Sequence, residues 1–184
     1  EKKIRSQQNL HSNEDSNFLE EFSQENKIVS ESELTRVVSL AIIDDIKEIW
    51  PDIKSMIIQH DEKTIQKEVE ANEGEAMFNL VLAVMALESI DIEKLFNYPQ
   101  NSRIKQHLLR WANTSGRQNV KSEVDLYVKT FKEGNSTTES YSKVANMVLH
   151  NMANKVLDFS EIDPILAQNL GMRIIMLTGK FKKL

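Results

Sequence analysis

The chain has 184 residues, of which 40% are hydrophobic and 28% are charged, a composition typical of a globular protein. It contains no cysteine, which excludes disulfides, thiolate nucleophiles and cysteine-based zinc or iron–sulfur sites. Only five glycines and three prolines are present, so a turn-rich β fold is disfavoured and an all-helical fold is favoured.

The net charge of −5 is divided unevenly along the chain. Residues 1–100 contain 10 Lys and Arg against 21 Asp and Glu, a net −11, whereas residues 101–184 contain 13 against 7, a net +6. Such asymmetry favours a basic surface that meets an anionic partner, or one copy's acidic surface meeting another copy's basic surface. The alternative is that both halves fold into one domain and their charges intermingle on its surface.

Residues 1–29 have the composition of a polar N-terminal arm, and residues 30–184 are expected to form a single all-helical domain. Within the arm, Phe18, Leu19 and Phe22 have the i, i+1, i+4 spacing of one helical face. They are candidates for docking into a groove of this molecule or of a neighbour. A frayed terminus is the alternative.

The first helix is predicted to begin at Ser30. Ser30 and Glu33 have the S-x-x-E spacing of a capping box, and an apolar stripe follows at helical spacing as far as Trp50. Pro51 disfavours a helical conformation at Trp50, so it either ends this helix or begins the next one. We expect a second helix over residues 51–71.

The central element of the predicted fold is the apolar stretch over residues 76–90. From Ala76 to Leu87 every residue except Asn79 is apolar, and good helix formers predominate. A helix that is apolar all round belongs in the interior, and this one is shorter than the roughly 20 residues that a membrane span requires. A buried Asn79 would need a hydrogen-bond partner. Asp91 is expected to cap a short separate helix.

Three amphipathic helices are predicted next, over residues 102–112, 120–132 and 138–159. The last helix has two candidate starts. Either Ser160 forms a capping box with Asp163, or Asp163 is the N-cap and a proline follows at the first helical position. The result is an all-α bundle of about six to eight helices around residues 76–90.

Catalytic and metal-binding motifs are absent from the sequence. None of the four histidines has the spacing of a helical metal site, and the glycines do not form a phosphate-binding loop. We therefore expect no catalytic residues, no metal and no cofactor. The residues also contain no secretory signal and no membrane-spanning run, so an intracellular protein that does not enter the membrane is expected.

Two polar patterns are candidate sites. The first is a patch for anions or nucleic acid in a region with seven Lys and Arg against two Asp and Glu over residues 101–132. Its members are Arg103, Lys105, His107, Arg110, Arg117 and Lys121. The second is a ladder at i, i+4, i+8 that could form a hydrogen-bond network or the polar edge of an interface, although a solvated face is the simpler interpretation. Its members are Asn146, His150 and Asn154.

The leading functional expectation is a non-enzymatic protein–protein interaction or assembly protein. A regulatory role is one version of it, and self-association through the acidic N-terminal and basic C-terminal halves is another. The alternative is a nucleic-acid-associated protein that uses residues 103–121 and the basic C-terminus. A hydrolase with an unrecognised site is the weakest expectation, because the usual nucleophile–base and metal patterns are missing. No family motif is recognisable in the chain.

Overall fold

The computed structural model describes residues 30–60, 63–113 and 116–183, and these residues form seven α-helices and no β-strand. The helices are α1 (Glu31–His60), α2 (Thr64–Ala71), α3 (Glu73–Leu95), α4 (Gln100–Asn113), α5 (Val120–Lys132), α6 (Thr137–Met152) and α7 (Pro164–Leu177). Two short 3₁₀ helices, Phe159–Glu161 and Phe181–Lys183, flank α7. The prediction of an all-α bundle of six to eight helices is confirmed.

Helix α3 contains the apolar stretch and lies at the centre of the bundle. Every residue from Asn79 to Glu88 is buried, and the helix packs against α1, α2, α4, α5 and α6. A helix that is covered on all sides buries side chains in every direction, which explains why its apolar residues follow no amphipathic period. Each large side chain that is fully buried there contributes about 1.5–3 kcal/mol to folding.

Helix α1 begins where the capping signal places it. The backbone N–H of Glu33 donates to the Ser30 hydroxyl at 3.1 Å, which satisfies one of the free donors of the first turn. The Glu33 carboxylate does not return to the Ser30 backbone but accepts two hydrogen bonds from Arg36, at 2.5 and 3.0 Å. Half of the predicted capping box is therefore present, and an i, i+3 ion pair replaces the other half.

Both predictions for Pro51 are wrong, because α1 continues through it from Glu31 to His60. The missing N–H and the steric clash of a proline inside a helix cost about 3 kcal/mol. Pro51 itself is exposed, whereas Trp50, Ile53 and Ile57 are all buried on one face. Burial of these large side chains in one continuous phase offsets the cost of the proline.

The predicted second helix over residues 51–71 is wrong for the same reason. Its first ten residues belong to α1, and α2 is a separate helix of eight residues. Lys63, just before α2, has a left-handed backbone with φ of 85°. A single left-handed residue cannot continue a right-handed helix, so α2 begins as a separate helix after Lys63. Ile65 and Val69 of α2 are nevertheless buried as the spacing predicted.

The separate helix expected after Asp91 is also absent. Asp91 lies inside α3, which continues to Leu95. Its carboxylate lies 2.9 Å from the Lys182 ammonium, so its polar side chain is satisfied by a distant residue rather than by a helix start. The Tyr98-Pro99 pair does mark a boundary, because it lies between α3 and α4.

The sixth helix is shorter than predicted, since α6 ends at Met152 and not at Phe159. Asn154 and Lys155 have left-handed φ angles of 54° and 59°, and they turn the chain towards the 3₁₀ helix. Val156 follows Met152 at helical spacing, but its side chain is 67% exposed. The prediction, which was based on spacing alone, therefore placed the end of this helix too far along the chain.

Helix α7 begins at the second of the two candidate starts. Asp163 accepts a hydrogen bond from the Ile165 N–H at 2.8 Å, and Pro164 occupies the first helical position. Gly171 lies where α7 crosses α6, and a Cβ there would lie 3.2 Å from the Tyr141 backbone. A glycine at this position therefore lets the two helices approach closely.

One cluster of buried apolar side chains receives residues from all seven described helices. The single-domain assignment of residues 30–184 stays a prediction. The proposed arm, with Phe18, Leu19 and Phe22, lies outside the described residues. Among the helices that are described, none is both long enough and apolar enough to cross a membrane.

Candidate functional site

The first two cations of the predicted anion patch are paired with carboxylates from the acidic half. Arg103 donates through Nε and Nη2 to the two carboxylate oxygens of Glu31, at 2.8 Å each. These hydrogen bonds hold the pKa of Glu31 below its ordinary value. Lys105 forms an ion pair with Glu93. Two of the six members of the predicted patch are therefore neutralised by carboxylates of the same chain.

The other members of the patch lie in different surroundings. Lys121 lies 2.9 Å from Asp125 on the same helix, and Arg117 turns inwards towards α3. Arg110 is exposed and has no ion pair within the described part of the chain, and His107 is half-buried on α4. The structure thus brings Arg103, Lys105, His107 and Arg110 onto one helix but does not produce a continuous field of unpaired cations.

Ion pairs between the two halves of the chain are a general feature of the described residues. Six of them join a cation after residue 100 to a carboxylate before it. The pairs are Arg103–Glu31, Lys105–Glu93, Lys132–Glu93, Arg117–Glu75, Lys180–Asp45 and Lys182–Asp91. This geometry matches the interpretation in which the opposite charges of the two halves meet within one molecule.

Arg117 is the member of the patch with the most extensive contacts. Its Nη2 donates to Asn79 Oδ1 at 3.2 Å, and its guanidinium lies 2.9 Å from Glu75 and 3.3 Å from Glu123. The same group lies 5.3 Å from the centre of the Phe78 ring, within cation–π range. The hydrogen bond expected for a buried Asn79 is therefore present, and it ties the loop before α5 to the central helix.

A pocket of about 640 Å³ opens beside Arg117, between α2, α3, α5 and α6. Its wall includes the His150 imidazole, which stacks on the Phe159 ring with 4.1 Å between ring centres. The other polar lining residues are Glu68, Asn72, Glu75, Asn79, Arg117, Glu123, Asn151, Asn154 and Lys155.

The pocket wall contains carboxylates, amides and an imidazole, but many of these groups contact one another. The Asn151 amide donates to the Tyr127 hydroxyl at 2.9 Å, and burial raises the pKa of that hydroxyl. His150 Nδ1 is buried and has no hydrogen-bond partner among the described residues. The described residues also contain no group of three or more His, Asp or Glu that could hold a metal ion. The arrangement is that of a polar pocket without a recognisable nucleophile–base pair.

The predicted polar ladder does not form. Because α6 ends at Met152, Asn154 lies in the left-handed turn and not one helical turn above His150. His150 and Asn154 both line the Arg117 pocket, whereas Asn146 lines a neighbouring apolar depression that also contains Phe159. The i, i+4, i+8 spacing was correct in sequence, but the helix was too short to align the third residue.

The sequence did not reveal the apolar outer face of α7. Ile165, Met172 and Met176 are 58%, 60% and 68% exposed, on the side of α7 opposite its buried residues. A groove of about 660 Å³ runs beside this face, between α7 and the second half of α1. One signal could have revealed the face: α7 has a single charged residue, Arg173, in fourteen positions. Such a helix is expected to be covered on every side.

The described residues define a class: an all-α bundle in which six ion pairs join the two halves of the chain and whose last long helix exposes an apolar face. Comparisons with known proteins add no narrower identity. No protein-family model, no curated protein and no solved structure matches the chain significantly.

Proposed function

We propose that this chain is a non-enzymatic assembly protein that self-associates through the outer face of α7. The observation that carries the proposal is the exposure of Ile165, Met172 and Met176, each more than half accessible. Large apolar side chains that cluster on one exposed face are typical of interaction sites. Methionine suits such a face because its flexible thioether adapts to the opposing surface.

The spacing of the face favours a second copy as the occupant. Ile165, Asn169, Met172 and Met176 follow one another at intervals of four, three and four residues, which is the spacing of a heptad seam. Two copies of α7 packed in parallel would place Asn169 against Asn169. In an antiparallel pair Asn169 would face a methionine, which leaves its amide unpaired. The parallel pair satisfies the amide and fixes the register.

The expected association is reversible. A symmetric pair buries six partly exposed side chains, each contributing about 1–2 kcal/mol. Association costs an estimated 4–15 kcal/mol in lost freedom of motion, so at most about 8 kcal/mol remains, which corresponds to a roughly micromolar dissociation constant at the tightest. The groove beside α7 adds contact area from α1, including Met56.

Sedimentation velocity over a concentration series tests the proposal. The double variant Met172→Glu, Met176→Glu should be monomeric at concentrations where the wild type forms dimers, because it would bury two carboxylates against their copies. Val156→Glu is the matched control, since it changes an equally exposed apolar residue elsewhere on the surface. A wild type that stays monomeric at every concentration would overturn the proposal. So would a Val156→Glu control that dissociates the dimer as strongly as the double variant does.

The nucleic-acid alternative has less support, since the cations that suggested it mostly have carboxylate partners. Arg103, Lys105 and Lys121 each form an ion pair. A gel-shift titration with single-stranded RNA and duplex DNA tests this alternative directly. We expect no salt-sensitive binding from the patch, and no effect when Arg103 and Arg110 are replaced by Glu.

A further inference from the structure

The C-terminal segment after α7, Gly179–Lys183, is held against α1 and α3 by its own set of contacts. Phe181 is buried, and its ring meets Phe96 edge to face with 6.2 Å between ring centres. Beneath it, Glu88 is fully buried in α3 and accepts hydrogen bonds from the backbone N–H of Lys180 at 2.7 Å and of Phe181 at 3.3 Å. One carboxylate therefore binds two successive peptide groups.

Charge complementarity surrounds this apolar contact. The Lys180 ammonium pairs with Asp45 of α1, and the Lys182 ammonium lies 2.9 Å from Asp91 of α3. A Lys-Phe-Lys sequence thus lies on a surface that offers a carboxylate, an apolar pocket and a second carboxylate in the same order. The segment fits the surface through its charge pattern and its shape together.

On the side of the C-terminal segment, all of these contacts are made by consecutive residues. Gly179 has φ of 84°, so the chain turns away from the axis of α7 before the contacts begin. The segment folds as one 3₁₀ helix of three residues that packs on α3. The contacts described above are therefore made by three consecutive residues, Lys180, Phe181 and Lys182.

We propose that Asp45, Glu88 and Asp91 form a recognition site for basic–aromatic peptide segments of the Lys-Phe-Lys type. The chain's own C-terminal segment is the resident occupant of this site and exchanges with an added peptide of the same chemistry. The proposal concerns a different surface from the α7 face and does not depend on self-association.

Exchange is physically reasonable because a three-residue 3₁₀ helix, in which Lys182 and Lys183 are exposed, opens at lower free energy than the buried helices of the core. When the segment leaves, Glu88 regains water, which removes the burial that raises its pKa. The vacated site then presents the carboxylates of Asp45, Glu88 and Asp91 that held the segment, together with the ring of Phe96 that contacted Phe181. A segment that has one aromatic residue between two lysines restores all the lost contacts.

A labelled peptide with the sequence of residues 178–184 tests the proposal by fluorescence polarisation. The receptor is the full chain with Phe181→Ala, which weakens the resident segment but leaves Asp45, Glu88 and Asp91 in place. We expect saturable binding to this variant and binding at least tenfold weaker to the wild type, whose own segment competes. A peptide with alanine in place of phenylalanine should lose about tenfold or more in affinity.

Specificity is tested by adding Glu88→Gln or Asp91→Asn to the Phe181→Ala chain, and each should weaken the peptide. Failure of the peptide to bind a variant that circular dichroism shows to be folded would overturn the proposal. Binding that does not depend on the peptide's phenylalanine would also overturn it, because it would reflect charge alone.

Hydrogen exchange on the wild-type chain gives an answer even if Phe181→Ala does not fold. The amides of Lys180 and Phe181 should exchange through local opening, well before the buried amides of α3. If they exchange only with global unfolding, the segment is a fixed part of the fold and the proposal is wrong.

Discussion

Helices α3 and α7 have similar sequences in one respect, since both are rich in apolar residues on every side, yet they occupy different environments. Five helices surround α3, and ten successive residues from Asn79 to Glu88 are buried. Helix α7 is covered on one side only, and Met172 and Met176 face outwards. The same kind of sequence is therefore buried on every side in one place and leaves an exposed apolar face in another, depending on how many helices are available to cover it.

The polar residues of the two helices differ in the same way. In α3, Asn79 is satisfied by Arg117, and Glu88 is satisfied by two backbone N–H groups of the C-terminal segment. In α7, Asn169 is exposed on the apolar face. Asn79 and Glu88 of α3 therefore have partners within the chain, whereas Asn169, Met172 and Met176 of α7 are exposed.

The largest expected difference is in the free energy of unfolding, between a substitution in the buried helix α3 and one on the exposed face of α7. Leu82→Ala in α3 should lower the free energy of unfolding by about 2–5 kcal/mol, because it creates a cavity among fully buried side chains. Met176→Ala in α7 should change the unfolding of the monomer by about 0.5 kcal/mol or less. Urea unfolding at low protein concentration measures both. Equal losses would mean that Met176 belongs to the core.

A smaller effect is expected where a polar partner of α3 is removed. Arg117→Ala leaves Asn79 and Glu123 without their cation and should cost about 1–3 kcal/mol in unfolding free energy. Arg110→Ala is the matched control, since Arg110 is exposed, and it should cost about 0.5 kcal/mol or less. The idea that Arg117 is chiefly a structural residue fails if both variants unfold at the same urea concentration.

The protonation of Glu88 should be visible in the pH dependence of the free energy of unfolding. Burial raises its pKa above the ordinary value of 4.5, so the folded state retains this proton to a higher pH than the unfolded state. The site's contribution to stability is therefore full below pH 4.5 and falls as the pH rises towards the raised pKa. The unfolding free energy of the wild type minus that of Glu88→Gln should decrease over this range.

The subtraction isolates Glu88 because other carboxylates occur in both proteins. Hydrogen bonds from Arg103 and Trp50 hold the pKa values of Glu31 and Glu73 below the ordinary value. The stability that these two carboxylates contribute is therefore lost as the pH falls, which is the opposite trend to that of Glu88. A difference curve that is flat, or that rises with pH, would mean that Glu88 is not held in a desolvated site.

The sequence predicted what local chemistry determines. Ser30 and Asp163 begin helices where their capping patterns place them. Residues 76–90 form the buried centre because a helix that is apolar all round needs cover on every side. The need of Asn79 for a partner was likewise visible from its apolar neighbours. Its partner, Arg117, was not, since 38 residues separate the two.

The errors came from tertiary contacts that override local rules. Pro51 does not end α1, because Trp50 and Ile53 are buried in the same phase on either side of it. Asp91 does not cap a helix, because Lys182 satisfies it from the far end of the chain. The predicted anion patch read Arg103 as a free cation, although Glu31 neutralises it across 72 residues. Contacts between residues so far apart in sequence cannot be predicted from local spacing.

Salt dependence of self-association tests the central claim most directly, because charge-driven and apolar association respond in opposite ways. At about 1 M salt the screening length falls to about 3 Å, which removes attraction between exposed charged surfaces. Sedimentation velocity of the wild type should show a dimer that persists or tightens between low salt and about 1 M, and the Met172→Glu, Met176→Glu variant should be monomeric in both conditions. A dimer that dissociates in high salt, or that survives the double substitution, would contradict the assignment of α7 as the assembly face.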